Sequence, residues 1–237
     1  MNALPACCPA LLDHWPLPVP LPGARLVSAT FDAELLAPSD FADCGLAAPK
    51  GAGKRQGEFL AGRLCAREAL HLLGQPPQFP AIGADRAPQW PAGVCGSITH
   101  SHGWAAAVVG QRQDWAGLGL DVERLLSTER AARLAGEILT ANELQRLQRQ
   151  PAEQQAQLVT LTFSLKESLF KALYPLVLKR FYFEHAELLE WSADGQARLR
   201  LLLDLSPTWR TGCELSGQFS LFDGRLLSLV GIPTADA

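Results

Sequence analysis

The sequence predicts an α+β fold of two similar halves related by a pseudo-twofold axis, each half a small antiparallel sheet packed on a long helix. Three observations predict it. Two long helical patterns are present; a hairpin pattern lies downstream of each; and the two hairpins match beyond their turns. The first helical pattern covers 55–73, where Phe59, Leu60, Leu64, Ala66, Leu70 and Leu73 recur at helical spacing and Gly74 with Pro76-Pro77 stops the run. A second, shorter helix is predicted over 140–149, because Thr140 followed by Glu143 has the spacing of a capping box. The other long helix covers 162–174 and is expected to end at Pro175.

Strands are predicted between these helices. A short strand-like segment spans 24–31, after a Pro-rich and irregular N-terminal arm. GSITH and WAAAVVG flank His102-Gly103, and QFSLF and RLLSLVG flank Asp223-Gly224; both are hairpin patterns, with Asp-Gly the stronger turn signal. Counted from each turn glycine, the segments ending at Gly110 and Gly231 have equal length, and both close on Val-Gly. Any two hairpins share some features, but together with the helices they suggest an internal duplication, with halves at 1–115 and 116–237 and a ligand site in the cleft between them.

Composition narrows the function. In 237 residues, 48% apolar and 19% charged side chains describe an ordinary globular protein, and a formal charge of −3 gives no support to nucleic-acid binding. The cysteines Cys7, Cys8, Cys44, Cys65, Cys95 and Cys213 lack the dense spacing of a secreted disulfide scaffold, and no Cys-x-x-Cys suggests zinc. Reduced thiols, no signal-peptide pattern and no apolar run of roughly 20 residues lead to the expectation of a soluble, cytoplasmic protein.

Four clusters carry possible chemistry. In GLGLDVE, Asp121 and Glu123 are two apart, so in a strand they share a face while Leu118, Leu120 and Val122 are expected to face the core. Two such hard oxygen donors suit Mg²⁺, although two solvated acids at a strand end would look the same. In FSLKESLFKALYP, Leu165, Leu169, Ala172 and Leu173 form an apolar stripe, and Glu167 and Lys171 share another face. They read either as a surface ion pair or as a third acid with a cation for a phosphate oxygen; Lys166 adds charge nearby. In GSITHS, Ser97 and Thr99 share one face and His100 is placed at the turn. Lys54, Arg55, Arg63 and Arg67 lie on or just before the first long helix, either as a solvated face or as a set of forks for phosphate oxygens.

These clusters and their order resemble the Sfp/EntD-type 4′-phosphopantetheinyl transferases. The resemblance rests on RQGEFLAGRLCAREAL, DRAPQWP, GSITHS, GLGLDVE and FSLKESLFKA, about half of the chain. It is nearer the longer, duplicated EntD-like branch than the short trimeric synthases. It implies the 4′-phosphopantetheinyl transferase fold, with coenzyme A phosphate contacts in the N-terminal half and metal-binding acids in the C-terminal half. The implied reaction moves 4′-phosphopantetheine from coenzyme A to a serine of an apo acyl carrier protein or peptidyl carrier domain, with Mg²⁺, releasing 3′,5′-ADP. Position by position, Asp121, Glu123 and Glu167 match the metal ligands; Lys166 and Lys171 match the KE-x-x-x-K lysines. His100, Ser97 and Thr99 match coenzyme A phosphate contacts, and Arg55 and Arg63 the positions that hold the 3′-phospho-adenosine end. Glu167 is the implied base, with Lys171 and His100 acting beside it. Ala87 stands where some relatives carry a basic residue, with Arg86 one step earlier, and Phe163-Ser164 stands in place of a Trp-based helix start. EntD-like enzymes are associated with enterobactin and other siderophore synthesis, and some relatives serve fatty-acid synthesis. Two halves in one chain imply a monomer. The alternatives are a different Mg²⁺-dependent phosphoryl or nucleotidyl transferase using the same acids, and a carrier-binding paralogue without catalysis.

Overall fold

Both predicted hairpins form, closed by turns of the same kind. His102-Gly103 and Asp223-Gly224 take positive φ at both positions (46° and 76°; 47° and 69°), the geometry that matches the twist of two-residue hairpins. In this computed structural model, which describes residues 4–236, the chain divides into two units. One comprises the residues up to Trp15 with Pro22–Arg112, the other Pro16–Leu21 with the residues from Gln113 on.

The first unit contains β1 (Leu12–Asp13), β2 (Ala24–Thr30), α1 (Asp40–Cys44), α2 (Gly53–Leu72), the small hairpin β3 (Ala81–Ile82) and β4 (Pro88–Gln89), then β5 (Val94–Ser101) and β6 (Trp104–Gln111). Its main sheet has the order β1-β2-β6-β5, all antiparallel. The core lies between sheet and α2: Val27, Ala29, Ala105, Ala107 and Val109 meet Leu60, Leu64 and Leu70. Cys7, Cys8 and Cys65 are buried in the same cluster and no disulfide joins the described cysteines. Burial and the neighbouring Asp40 push the Cys7 thiol up to about 12, so it packs as a small apolar group.

The second unit contains β7 (Trp115–Arg124), α3 (Thr128–Ile138), α4 (Ala141–Gln148), α5 (Ala152–Val177), β8 (Ala186–Trp191), β9 (Gln196–Leu201), β10 (Glu214–Phe222) and β11 (Arg225–Pro233). The sheet order is β7-β11-β10-β9-β8, antiparallel throughout. Leu165, Leu169, Ala172 and Leu173, the predicted stripe of α5, are completely buried against Leu199, Leu226 and Val230. Each such leucine contributes on the order of 1.5–3 kcal/mol relative to exposure. Within the second unit, part of the Pro-rich arm is held: the Gln218 side chain accepts from Val19 N at 2.9 Å and donates to Val19 O at 2.8 Å.

Each unit repeats one topology. A strand (β2 or β7) precedes a long helix (α2 or α5), and the second strand of the later hairpin returns to pair antiparallel with it. The capping box at α4 is present in full, with Thr140 Oγ1 accepting from Glu143 N and Glu143 Oε2 from Thr140 N.

One sequence expectation is corrected, and further elements are added. Helix α5 begins at Ala152, before Thr162, and passes through Pro175 to end at Val177, with Leu178 left-handed beyond it. Pro175 lacks an N–H, which removes the helical bond to the Lys171 carbonyl, and the helix ends two residues later. Helix α3 was not expected at all, although Ala131, Leu134, Ala135 and Ile138 have helical spacing and Ser127 caps Arg130 N. Strands β8 and β9 were likewise unpredicted.

Candidate active site

Strand β7 places Gly117, Gly119, Asp121 and Glu123 on one face, and that face is turned toward α5. A Cβ at Gly119 would lie 1.8 Å from Ser168 O and 2.6 Å from Ala172 N; one at Gly117 would lie 2.3 Å from Ala172 O. The two glycines therefore let the helix backbone rest directly on the strand. Leu118, Leu120 and Val122, on the opposite face, are also buried. The core does not lie behind the leucines alone, and the carboxylate face is the one that meets the helix.

Buried hydroxyls fasten this contact. Ser228, the register partner of Asp121 on β11, has its Oγ 2.8 Å from both Ser164 Oγ and Ser168 Oγ, and Ser168 Oγ donates to Ser228 O at 3.0 Å. All three serines are inaccessible. Sequence reasoning gave no role to the glycines or to Ser168 and Ser228, and met Ser164 only as the residue after Phe163. The available signal was period: Gly117 and Gly119 continue the parity of the acids, and Ser164 and Ser168 are one helical turn apart.

Where the glycines end, charges gather. Lys171 Nζ donates to Asp121 Oδ1 at 2.7 Å and to Leu120 O at 3.1 Å. Asp121 is buried, and its Oδ2 has no hydrogen-bond partner. Leaving a charged acceptor so costs on the order of 1–3 kcal/mol or more. Burial, then the nearby Asp121 charge, pushes the Glu123 carboxyl up to about 7, against the pull of Lys171. Glu167 is raised too, first by burial and also by Asp121, with Lys171 opposing.

The donor set fits a divalent cation. Such an ion would satisfy the orphaned Oδ2 and offset the repulsion that raises Glu123 and Glu167, and three carboxylates are hard donors suited to Mg²⁺. Among the described residues, no three His, Cys, Asp or Glu side chains already stand gathered to hold a metal. The Lys171 ammonium instead holds one oxygen of Asp121.

The remaining predicted residues are distributed differently. Arg55 is exposed in the first turn of α2. His100 lies on β5 rather than at the turn, 44% exposed, with Nδ1 3.7 Å from Glu58 Oε2 on α2. It shares a face with Ile98, which abuts α2 at Gly62, whereas Ser97 and Thr99 occupy the opposite face and are buried. The predicted histidine-hydroxyl cluster is thus split by strand alternation. Arg63 is buried: Nη1 donates to Pro80 O and, at 3.4 Å, to Ala81 O, and the guanidinium stands 5.1 Å from the Phe59 ring centre. It secures the chain entering β3. Arg67 lies over Phe79, and Arg86 is exposed in the β3–β4 turn with a φ of 71°. Phe163, at the departure from a Trp-based start, packs against Phe183 with ring centres 5.4 Å apart and the rings tilted at 49°.

Lys166 requires correction. Its Nζ is buried and donates to Glu143 Oε2, Ile138 O and Phe183 O at 2.7, 2.8 and 2.9 Å. With all three donors committed inside the second unit, it is withdrawn from the coenzyme A contacts.

A lysine bonded to one carboxylate, with two further acids close enough to feel its charge, is an arrangement compatible with binding phosphate oxygens. Comparison with known proteins makes this specific. The family model for the 4′-phosphopantetheinyl transferase N-terminal domain matches residues 47–110, and that for the 4′-phosphopantetheinyl transferase superfamily matches residues 117–226. Enterobactin synthase component D of Salmonella typhi is 38% identical over 168 residues, 68% of this chain and 67% of the relative. The 4′-phosphopantetheinyl transferase Svp of Streptomyces mobaraensis is 39% identical over 181 residues, 71% of this chain and 67% of the relative. The 4′-phosphopantetheinyl transferase Npt of Nocardia iowensis is 35% identical over 150 residues, 62% of this chain and 65% of the relative. The chain belongs to the 4′-phosphopantetheinyl transferase superfamily and is an enzyme of that class. No helix among the described residues is long and apolar enough to cross a membrane.

Proposed function

We propose that this chain transfers 4′-phosphopantetheine from coenzyme A to a serine of an apo acyl carrier protein or peptidyl carrier domain, with Asp121, Glu123 and Glu167 holding Mg²⁺. The observation that carries the reading is the unpartnered, buried Oδ2 of Asp121, beside Lys171 and two carboxyl groups whose proton affinity is raised. Bound there, Mg²⁺ would neutralise charge on the pyrophosphate oxygens.

The chain's own residues supply the rest. Lys171 Nζ keeps one donor for a phosphate oxygen while it holds Asp121 and Leu120 O. Glu167 is assigned as the acceptor of the proton from the attacking serine hydroxyl. The serine Oγ–P bond forms as the P–O bond to the leaving 3′,5′-ADP breaks, and the proton stays on Glu167. Arg55 and His100, both exposed on the first unit, are assigned to the phosphates of coenzyme A. The likeness to enterobactin synthase component D favours a siderophore-type carrier as the first to test.

The test is incubation with coenzyme A and an apo carrier protein, read as a mass gain on the carrier serine. Asp121→Ala is expected to abolish the gain while leaving thermal unfolding near that of the parent. Near-parent transfer by that variant in the presence of EDTA overturns the metal assignment; no gain with either carrier type overturns the activity.

A further inference from the structure

The second unit buries an ion pair that the transfer chemistry above does not use. The side chains of Lys166 and Glu143 are 2% and 3% exposed, with nitrogen and oxygen 2.7 Å apart. Every polar atom of the pair is engaged. Lys166 Nζ donates to Glu143 on α4, to Ile138 O at the end of α3, and to Phe183 O in the short turn of helix before β8. Ile138 O is one of the last carbonyls of α3, which lack an intrahelical partner, so the ammonium also closes that helix. Glu143 Oε2 accepts from Thr140 N at 2.7 Å, and Oε1 from Leu188 N of β8 at 2.6 Å. Arg146, one turn further along α4, extends the network to Glu187 at 3.3 Å and to the carbonyls of Leu188 and Leu189.

Such a pair is not an efficient source of stability. Desolvating two charges offsets most of their attraction, and a buried pair can often be replaced by apolar side chains at no loss of stability. What directed hydrogen bonds add over apolar contact is a fixed angle. Here they attach one point of α5 to α3, α4 and β8, and the next residue along α5 is Glu167. Successive side chains leave an α-helix about 100° apart, so pinning Lys166 inward sets the direction in which Glu167 emerges, and that of Lys171 a turn and a half later.

We propose that Glu143 and Lys166 form a positioning pair for the transferase site, fixing the rotation of α5 about its axis so that Glu167 and Lys171 are presented to Asp121. The inference rests on the activity proposed above. It names residues that act through others and touch neither substrate.

The double substitution Glu143→Leu with Lys166→Met removes both charges together, so neither is left buried without the other, while Thr140 N, Leu188 N, Ile138 O and Phe183 O lose their side-chain partners. Three quantities are measured: the thermal midpoint, steady-state transfer from coenzyme A to an apo carrier with the active fraction titrated, and Mn²⁺ affinity by calorimetry. The expected result is a folded protein with a lowered midpoint, since the freed backbone groups lose partners, a kcat per active molecule lowered about 10²-fold, as a shift of about 1 Å produces, an unchanged KM for coenzyme A, and weaker Mn²⁺ binding. Glu143→Gln, which keeps the volume and loses the charge, is read in the same way if the double variant does not fold. A folded variant with parental kcat and Mn²⁺ affinity overturns the proposal, as does a loss of rate accounted for wholly by lost active protein. If the parent protein itself loads no carrier, the activity reading fails, and Mn²⁺ affinity alone decides the pair.

Discussion

Gly119→Ala puts one carbon into the tightest contact of the second unit. The added Cβ would sit 1.8 Å from Ser168 O, 2.6 Å from Ala172 N and 2.9 Å from Ser168 C, all backbone atoms of α5. Side-chain rotation cannot relieve a clash with backbone. Reaching an ordinary separation of roughly 3.4 Å requires strand and helix to part by about 1.5 Å, and overpacking on this scale costs about 1–3 kcal/mol or more. For a chain of this size that corresponds to a fall of at least about 2–4 °C per kcal/mol in the unfolding midpoint. The same displacement moves Glu167 and Lys171 away from Asp121, so transfer should fall by about 10²-fold or more even in the fraction that stays folded. Differential scanning calorimetry and mass-spectrometric carrier loading measure the two effects. Gly136→Ala, at an exposed position of α3 with open space around the new Cβ, is the control; it should stabilise by about 0.5–1 kcal/mol. A Gly119→Ala protein with parental midpoint and parental rate would refute the close packing of α5 on β7 as the basis of the site.

The acid cluster gives a signed dependence on pH. Glu123 titrates near 7 in the folded protein, above its ordinary 4.5. The folded state therefore binds the extra proton between those values, and stability from this group declines as pH rises from about 4.5 to about 7. Glu123→Gln should flatten that slope in midpoint-versus-pH measurements; an unchanged slope contradicts the assignment. Because a metal must displace that proton, binding of Mg²⁺ should strengthen from pH 6 to pH 8 and release protons, seen as a buffer-dependent heat in calorimetry. The two arginines should separate cleanly. Arg63→Met, which frees the Pro80 and Ala81 carbonyls, should lower the midpoint with KM for coenzyme A unchanged. Arg55→Ala, exposed and unburdened by packing, should raise that KM about tenfold with the midpoint unchanged, the equivalent of about 1.4 kcal/mol. The reverse pattern would exchange their roles.

The sequence by itself determined what depends on near neighbours. The parity of GLGLDVE places Asp121 and Glu123 on one face, the spacing of Glu167 and Lys171 places them along one side of a helix, and Thr140 with Glu143 caps α4; all three relations are closed within a few residues. The hairpins were legible for the same reason, since their turn residues carry the positive φ they require. Tertiary structure alone decided which way each side chain was spent. Lys166 and Lys171 are alike in sequence, yet the acceptors that claim Lys166 come from Ile138, Glu143 and Phe183, and those that claim Lys171 come from Leu120 and Asp121. Arg63 resembles a phosphate-binding residue until Pro80 and Ala81 arrive beside it. His100 parts from Ser97 and Thr99 because β5 continues through it to Ser101, and successive residues of a strand take opposite faces. A charged side chain's role is set by the partners that replace its water, and those partners are distant in sequence and meet only when the sheet and helices assemble.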